Sequence, residues 1–395
     1  MENSFDLKGF IMIAIFDKDT LLNALVPVMY TVSGKNTMAC IEGIHMTCKD
    51  DGQCMLQSYD LEKGMRTFVE CETEREGSCI INAQRLFQIV KTMPKGPIKI
   101  TVDSSYKTVV ESANGLSHFD IKSLPGSEFP TLPELKGDRG FMFPQHLFRK
   151  FVNRILFAIG QNDTRPVFNG AYFQITGNKM ILVSCDGNRL AYCENDMEIE
   201  NKNIAIGSTL NLKFIVPGKT LVEVLKLVKD TEEEMEIRLT LKYVLFKIGK
   251  YILFSKTIDS EYIDYNRIIP KNQNLELTLN AEDLRGALER SSLIIEDRLA
   301  GSIRSYVKFT IDEALSVSTQ SANGNVYDEI EIEKLSGDSL TIGFNCKFLL
   351  DALKVCDDGK MKLGFVNPLM GVLIEPQSKE EGKYLYFVMP IRMNN

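Results

Sequence analysis

Histidine is scarce in this sequence. There are three in 395 residues, His45, His118 and His146, and they lie far apart. No Walker A loop, GxGxxG, GxSxG or HExxH occurs, so the loops that cradle phosphates, expose a nucleophile or hold a catalytic zinc are missing. The acidic pair Glu233 and Glu234 sits in TEEEMEI, which reads as a solvated turn before a strand. These absences count against intrinsic catalysis. The nine cysteines form no CxxC pair, and the tightest group, Cys40, His45, Cys48 and Cys54, matches no common ligand spacing. Reduced, buried thiols are expected, with no metal, no cofactor and no disulfide framework. No stretch approaches roughly 18 uninterrupted apolar residues, and the opening MENSFDLKGF lacks a signal peptide's basic start and apolar run. A cytoplasmic protein with no membrane partner is expected. An excess of basic charge is also missing: the formal net charge is −7, which, spread evenly, would count against nucleic acid as a partner.

What is present is repetition. The chain is long enough for two or three cores, and 44% of it is hydrophobic. INAQRLFQIVKTMPKGPIKI from Ile81, VPGKTLVEVLKLVKDTEEEMEIRL from Val216 and FNCKFLLDALKVCDDGKMKLGF from Phe344 share one pattern. Each is a helix cue, an amphipathic run, a polar turn and a strand, and they recur at about one domain length. A second helix recurs upstream of each: DKDTLLNALVPV from Asp17, PQHLFRKFVNRI from Pro144 and NAEDLRGALERS from Asn280. Their first residues suit N-cap or N1 positions. Alternating stretches follow, such as YVLFKIGKYILFSK, which predicts two strands about Gly249. Each unit closes on a related stretch: HFDIKSLPGSEFPTLPEL, LFSKTIDSEYIDYNRIIP and YLYFVMPIRM. Three similar domains are expected, over 1–136, 137–270 and 271–395.

Helical geometry separates two faces on the first set of helices. At about 100° per residue Leu221, Val224 and Leu225 share one face, with Lys219 and Lys226 opposite. Leu349, Ala352 and Leu353 oppose Lys347 and Lys354 in the same way. In the first repeat Leu86, Ile89 and Val90 oppose Gln84 and Lys91, with Arg85 nearby. One such basic face is ordinary solvation. Three in equivalent places, turned the same way, form a surface that binds a phosphate backbone despite a negative net charge. No helix-turn-helix, zinc finger or RNA-binding aromatic pair is present, so contact without sequence specificity is implied.

RPVFNGAYFQITGNKMILVSCDGNRLAYCE, from Arg165 to Glu194, resembles the bacterial DNA polymerase III beta subunit, the sliding clamp, in its RPV-NG and DG-x-RLA elements. DYNRIIPKN and the VMPIR ending extend the resemblance, which with the repeats spans essentially the whole chain. KNTMACIEG from Lys35 departs from the family's Thr-Leu-Pro segment. The resemblance implies an α+β fold of three similar clamp domains, with helices lining a central pore and antiparallel sheets outside, closed into a ring as a head-to-tail homodimer. It implies a noncatalytic processivity factor of DNA replication that encircles duplex DNA. The implied partners are the polymerase III catalytic subunit, an ATP-dependent clamp loader and other proteins carrying clamp-binding peptides. A scaffold of the same fold that no longer encircles DNA is the alternative left open by the divergent first domain.

Site residues follow position by position. Pore contacts are expected from Lys35, Arg85, Lys91, Arg149, Arg154, Arg165, Lys219, Lys226, Lys347 and Lys354. The resemblance places a partner-peptide cleft on Phe168, Cys185, Gly187, Asn188, Arg189 and Leu190 of the middle domain, and on Ile263, Arg267 and Ile268 at the junction. Leu369, Gly371, Phe387, Met389, Pro390, Ile391 and Arg392 complete it. Apolar walls, an adaptable methionine and rim arginines suit a peptide. The dimer interface is assigned to Phe119, Ile121, Leu293 and Ile294.

Overall fold

The computed structural model describes residues 9–34, 38–132, 139–203, 209–295, 306–321, 324–356, 359–377 and 382–393. Six helices occur among them: α1 Lys18–Val28, α2 Ala83–Thr92, α3 Gln145–Leu156, α4 Gly218–Leu227, α5 Ala281–Ser292 and α6 Cys346–Leu353. Side-chain caps start four of them. Asp17 Oδ1 accepts from Thr20 N at 2.8 Å, Asn82 from Arg85 N at 3.1 Å, Asn280 from Glu282 N at 2.9 Å and Asn345 from Lys347 N at 3.0 Å. Each satisfies an amide that the first helical turn leaves without an intrahelical partner. In the middle repeat Pro144 and Pro217 stand in the same places, directly before α3 and α4.

The described residues fall into two compact units, one within Met1–His146, Glu200–Gly207 and Val222–Thr257, the other within Leu147–Ile199, Ser208–Leu221 and Ile258–Asn395. Each unit holds a five-stranded and a nine-stranded antiparallel sheet. In the first, the five strands run in the order Glu72–Arg75, Phe10–Asp17, Pro97–Asp103, Lys107–Ser112, His118–Lys122. Its nine-stranded sheet runs Leu124–Pro125, Gly77–Asn82, Gly43–Cys48, Gln53–Tyr59, Lys63–Glu70, then Tyr251–Lys256, Tyr243–Ile248, Glu234–Leu239, Arg139–Pro144. The predicted hairpin about Gly249 is present, with that glycine left-handed at φ +54°.

The second unit repeats the plan. Its nine-stranded sheet runs Asn211–Pro217, Gly170–Thr176, Lys179–Cys185, Arg189–Asp196, then Lys383–Val388, Val372–Pro376, Lys360–Phe365, Leu275–Asn280, Glu333–Ser336. The five-stranded sheet runs Gly324–Glu331, Ala314–Ser321, Val307–Ile311, Leu340–Phe344, Pro390–Ile391. In both nine-stranded sheets, strands of successive repeats meet at one seam, where Phe254 faces Gly64 and Phe387 faces Leu190. The middle repeat thus gives half its strands to each unit.

Amphipathic helices supply much of the core. Leu21 and Leu25 of α1, Leu86 and Val90 of α2, Leu284 and Leu288 of α5, and Leu349 and Leu353 of α6 are all buried. Burying each such side chain contributes roughly 1.5–3 kcal/mol. That leaves the polar face of each helix to solvent.

Candidate docking cleft and basic helix faces

The seam between Arg189–Asp196 and Lys383–Val388 builds an apolar patch by simple alternation. Residues two apart on a strand share a face, so Leu190 and Tyr192 line up opposite Phe387 and Leu385. Cys185 and Val183 on the neighbouring strand, with Phe168 and Leu373, join them in one buried cluster. The segment leading into the third repeat packs across this cluster through Tyr262, Ile263, Tyr265, Ile268 and Ile269. Tyr262 stacks on Tyr172 at 5.0 Å and donates to the Val183 carbonyl at 3.2 Å. Phe168, Cys185, Leu190, Ile263, Ile268 and Phe387, separated widely in sequence, are therefore brought together.

A turn shapes one end of the patch. Asp186 Oδ1 accepts from the amides of Asn188 and Arg189 at 2.9 and 3.0 Å, and Gly187 is left-handed at φ +88°. Asn188 offers its carbonyl to Met389 N at 2.8 Å, which fixes the chain where it leaves the seam. Gly371 is also left-handed, at φ +85°, and a Cβ there would stand 2.3 Å from the Val388 carbonyl. Leu369 is 72% exposed and Met389 39%. Pro390 and Ile391 pair with Phe344 and Gly343 in the five-stranded sheet, and Arg392 is exposed. Burial pushes the Cys185 thiol up to about 11, and its sulfur accepts from Gly187 N at 3.3 Å. It is an apolar wall, not a nucleophile.

One arginine here differs from expectation. Arg189 is not a free rim cation: its guanidinium donates to Asp186 at 3.0 Å and to Asp351 of α6 at 2.7 Å, over the rings of Phe348 and Phe157. Arg165, expected in the pore, stacks on Phe168 at 4.1 Å and reaches over Gly187, which also sets it at the border of the apolar cluster, with its side chain 59% exposed. Its partner Asp163, at 3.0 Å, is held below the usual carboxylate range by hydrogen bonds from Arg165. Arg267 is exposed and pairs with Asp264 at 2.9 Å.

Exposed faces of α2, α4 and α6 carry the expected cations Arg85, Lys91, Lys219, Lys226, Lys347 and Lys354. Lys226 pairs with Glu223 at 2.6 Å and lies over the Tyr30 ring at 4.8 Å. Arg149 is half-buried on α3. Arg154 corrects the expectation: it is 3% exposed, with its guanidinium 4.0 Å from the Tyr384 ring centroid, so it cannot present charge to DNA. Lys35 lies outside the described residues.

Of the four residues assigned to the dimer, two lie on an outermost strand and two follow a helix. Phe119, 40% exposed, and the partly exposed Ile121 occupy the outermost strand of the first unit's five-stranded sheet. Leu293 is 83% exposed just after α5, and Ile294 is half-buried beside it.

The residues missed by sequence are the supports. Asp351 and Phe348 fix Arg189, and Tyr192, Tyr265, Leu373 and Leu385 complete the patch. Period-two spacing from Leu190 and Phe387 would have found Tyr192 and Leu385.

Comparison with known proteins agrees with this layout. The N-terminal, central and C-terminal domain models of the DNA polymerase III beta subunit match residues 12–133, 142–264 and 266–392. The beta sliding clamp of Bacillus subtilis is 26% identical over 384 residues, 95% of this chain and 98% of that one. One from Staphylococcus aureus is 26% identical over 386 residues, with the same coverage. The crystal structure of the Bacillus subtilis DNA polymerase sliding clamp superposes with a TM-score of 0.87 at 26% identity, covering 97% of this chain and all of that one. A Pseudomonas aeruginosa sliding clamp bound to griselimycin gives 0.84 at 25% identity, with the same coverage. The tripled strand-and-helix plan and the three successive domain matches lead to one conclusion: the chain belongs to the DNA polymerase III beta subunit family, the sliding clamps.

Proposed function

We propose that two copies of this chain close head to tail into a ring around duplex DNA. The ring tethers the replicative polymerase and other DNA-processing proteins through peptides seated over the apolar patch. One observation carries this reading: in equivalent helices of three repeats, Lys219 and Lys226 of α4, Lys347 and Lys354 at α6, and Lys91 of α2 with Arg85 nearby are exposed while the apolar face is buried. Such a surface holds DNA by counterion release without reading bases, which leaves the ring free to slide. Domain limits at 1–136, 137–270 and 271–395 set one of these helices in each domain.

Closure rests on the free edges. A strand edge bearing Phe119 and Ile121 invites a partner strand, and pairing it across subunits near Leu293 and Ile294 covers it. Arg165 and Arg267 border the patch as cations for a peptide's carboxylates. Leu369 and Met389 are adaptable apolar contacts for its hydrophobic anchors. The protein itself performs no chemistry, acts in the cytoplasm at the nucleoid, and needs an ATP-driven loader.

The decisive experiment loads the protein on nicked circular DNA and follows retention after linearisation. A topologically held ring stays on the circle and runs off the linear form. Equal loss from both would leave only a scaffold of the clamp fold.

A further inference from the structure

The turn at the cleft of the second unit has a counterpart in the first. Asp60 Oδ1 accepts from the amides of Glu62 and Lys63 at 3.0 and 2.7 Å, as Asp186 does from Asn188 and Arg189. The next residue is left-handed in both, Leu61 at φ +77° and Gly187 at +88°. The third residue then gives its carbonyl to the strand arriving from the next repeat, Glu62 to Lys256 N and Asn188 to Met389 N, both at 2.8 Å. The fourth is a cation reaching a carboxylate on the following helix. Lys63 meets Glu223 of α4 at 3.6 Å, and Arg189 meets Asp351 of α6 at 2.7 Å.

The apolar ground is repeated too. Tyr59 and Phe254 stand at the seam of the first unit where Cys185 and Phe387 stand in the second, and Phe129 packs onto them as Ile268 does. Three hydrogen bonds, a left-handed residue, an ion pair and one apolar cluster thus recur in the first unit's sheet. Leu61 keeps a backbone conformation that glycine adopts freely and leucine does not, a form of strain that clusters at binding sites.

The chemistry around this first junction is cationic. Lys256 stands where the second junction has Met389, and Lys242 neighbours it through the Thr257 N to Lys242 carbonyl bond of 2.9 Å. Both lysines are exposed. Arg66, in the register position of Tyr192, rests against the neutral amide of Gln57, which accepts from it at 2.6 and 2.8 Å once that amide is oriented to satisfy both groups. Phe68, two residues along the same strand face, is 43% exposed. The carboxylate paired with a cation of this junction is Glu223, on Lys63 at 3.6 Å, and Glu62 meets Lys256 through its backbone carbonyl.

We propose that the first junction is a second docking cleft, taking a linear peptide whose carboxylates precede a short apolar run. It rests on reading the second junction as a peptide cleft, and differs from it in demanding acid. Carboxylates meet Lys242 and Lys256, and the apolar run lies over Leu61 toward Phe68.

Isoleucine methyl NMR of the full-length protein tests both junctions in one titration, because Ile41 and Ile252 report on the first and Ile263 and Ile268 on the second. The probe is a synthetic peptide with two glutamates followed by Leu-Leu-Phe. Both pairs of signals should move. The double variant Lys242→Glu, Lys256→Glu should weaken the response at Ile41 and Ile252 at least tenfold and leave Ile263 and Ile268 unchanged. Replacing the peptide's glutamates by glutamine should weaken the first junction by a similar factor. Movement confined to Ile263 and Ile268 at saturation, or charge reversal without effect at Ile41 and Ile252, overturns the second cleft while the docking reading stands. Silence of all four overturns both.

Discussion

Asp351 accepts a 2.7 Å hydrogen bond from Arg189, tying the turn beside the docking patch to α6, whose exposed face carries Lys347 and Lys354. Both side chains of the pair are largely covered, so solvent screens them less than it would a surface pair. Replacing Arg189 by alanine leaves Asp186 and Asp351 facing one another without their cation, and should destabilise the fold by about 2–3 kcal/mol. Asp351→Asn should cost less, since Asp186 still holds the guanidinium. Urea unfolding of the two variants checks the order. Arg189→Ala as mild as Asp351→Asn would mean that the tether carries little.

Leu61 and Gly187 occupy the same place in two equivalent turns, but only glycine adopts φ near +80° without steric cost. A left-handed leucine is strained by about 1–2 kcal/mol. Leu61→Gly should therefore stabilise the protein by about 1 kcal/mol, less whatever the half-exposed side chain contributes. The reciprocal Gly187→Leu should destabilise, because a Cβ there meets Arg165 Nη2 at 3.1 Å as well as the backbone strain. Denaturation midpoints at unchanged m-value decide this. A destabilised Leu61→Gly would show that the side chain, not the backbone, sets the balance.

The same two turns show what sequence could and could not reveal. Repeated helices were legible because caps and apolar periodicity are local, and Asp17 and Asn280 cap where expected. The equivalence of DLEK from Asp60 and DGNR from Asp186 was not, since only the aspartate is shared and the likeness lies in hydrogen bonds. Arg154 was misplaced for a related reason. It sits on the flank of α3, where helical geometry allows either solvent or core, and a residue far along the chain, Tyr384, covers it. That Arg165 also borders the patch was not legible, because the fold brings Phe168 and Gly187 to it.

His45 stacks on Phe129 at 4.9 Å, and burial lowers its pKa below the ordinary 6.5. The folded protein thus resists protonation where the unfolded chain accepts it. Stability from this group is fully present above pH 6.5 and is lost as pH falls through 6.5 toward the folded pKa. The slope approaches about 1.4 kcal/mol per pH unit once the unfolded histidine is charged. Thermal melts of the wild type and of His45→Phe between pH 7.5 and 5 compare the two profiles. The variant's should be flatter over that range, and parallel profiles would remove His45 as the cause.

Salt dependence separates cations that meet DNA from those that hold the fold. Each lysine that neutralises a phosphate contributes about 0.9 to the slope of log K against log salt on duplex DNA. Lys347→Ala and Lys354→Ala, both on the exposed face of α6, should each reduce the slope by about that amount, with melting temperatures unchanged. Arg154→Ala should do the reverse. Its guanidinium packs on Tyr384 in the interior, so its loss should lower the melting temperature and leave the slope as it was. Measuring both on closed-circular duplex at several salt concentrations sets the two outcomes side by side. A reduced slope for Arg154→Ala would put that side chain on the DNA after all, and would require α3 to open when DNA binds.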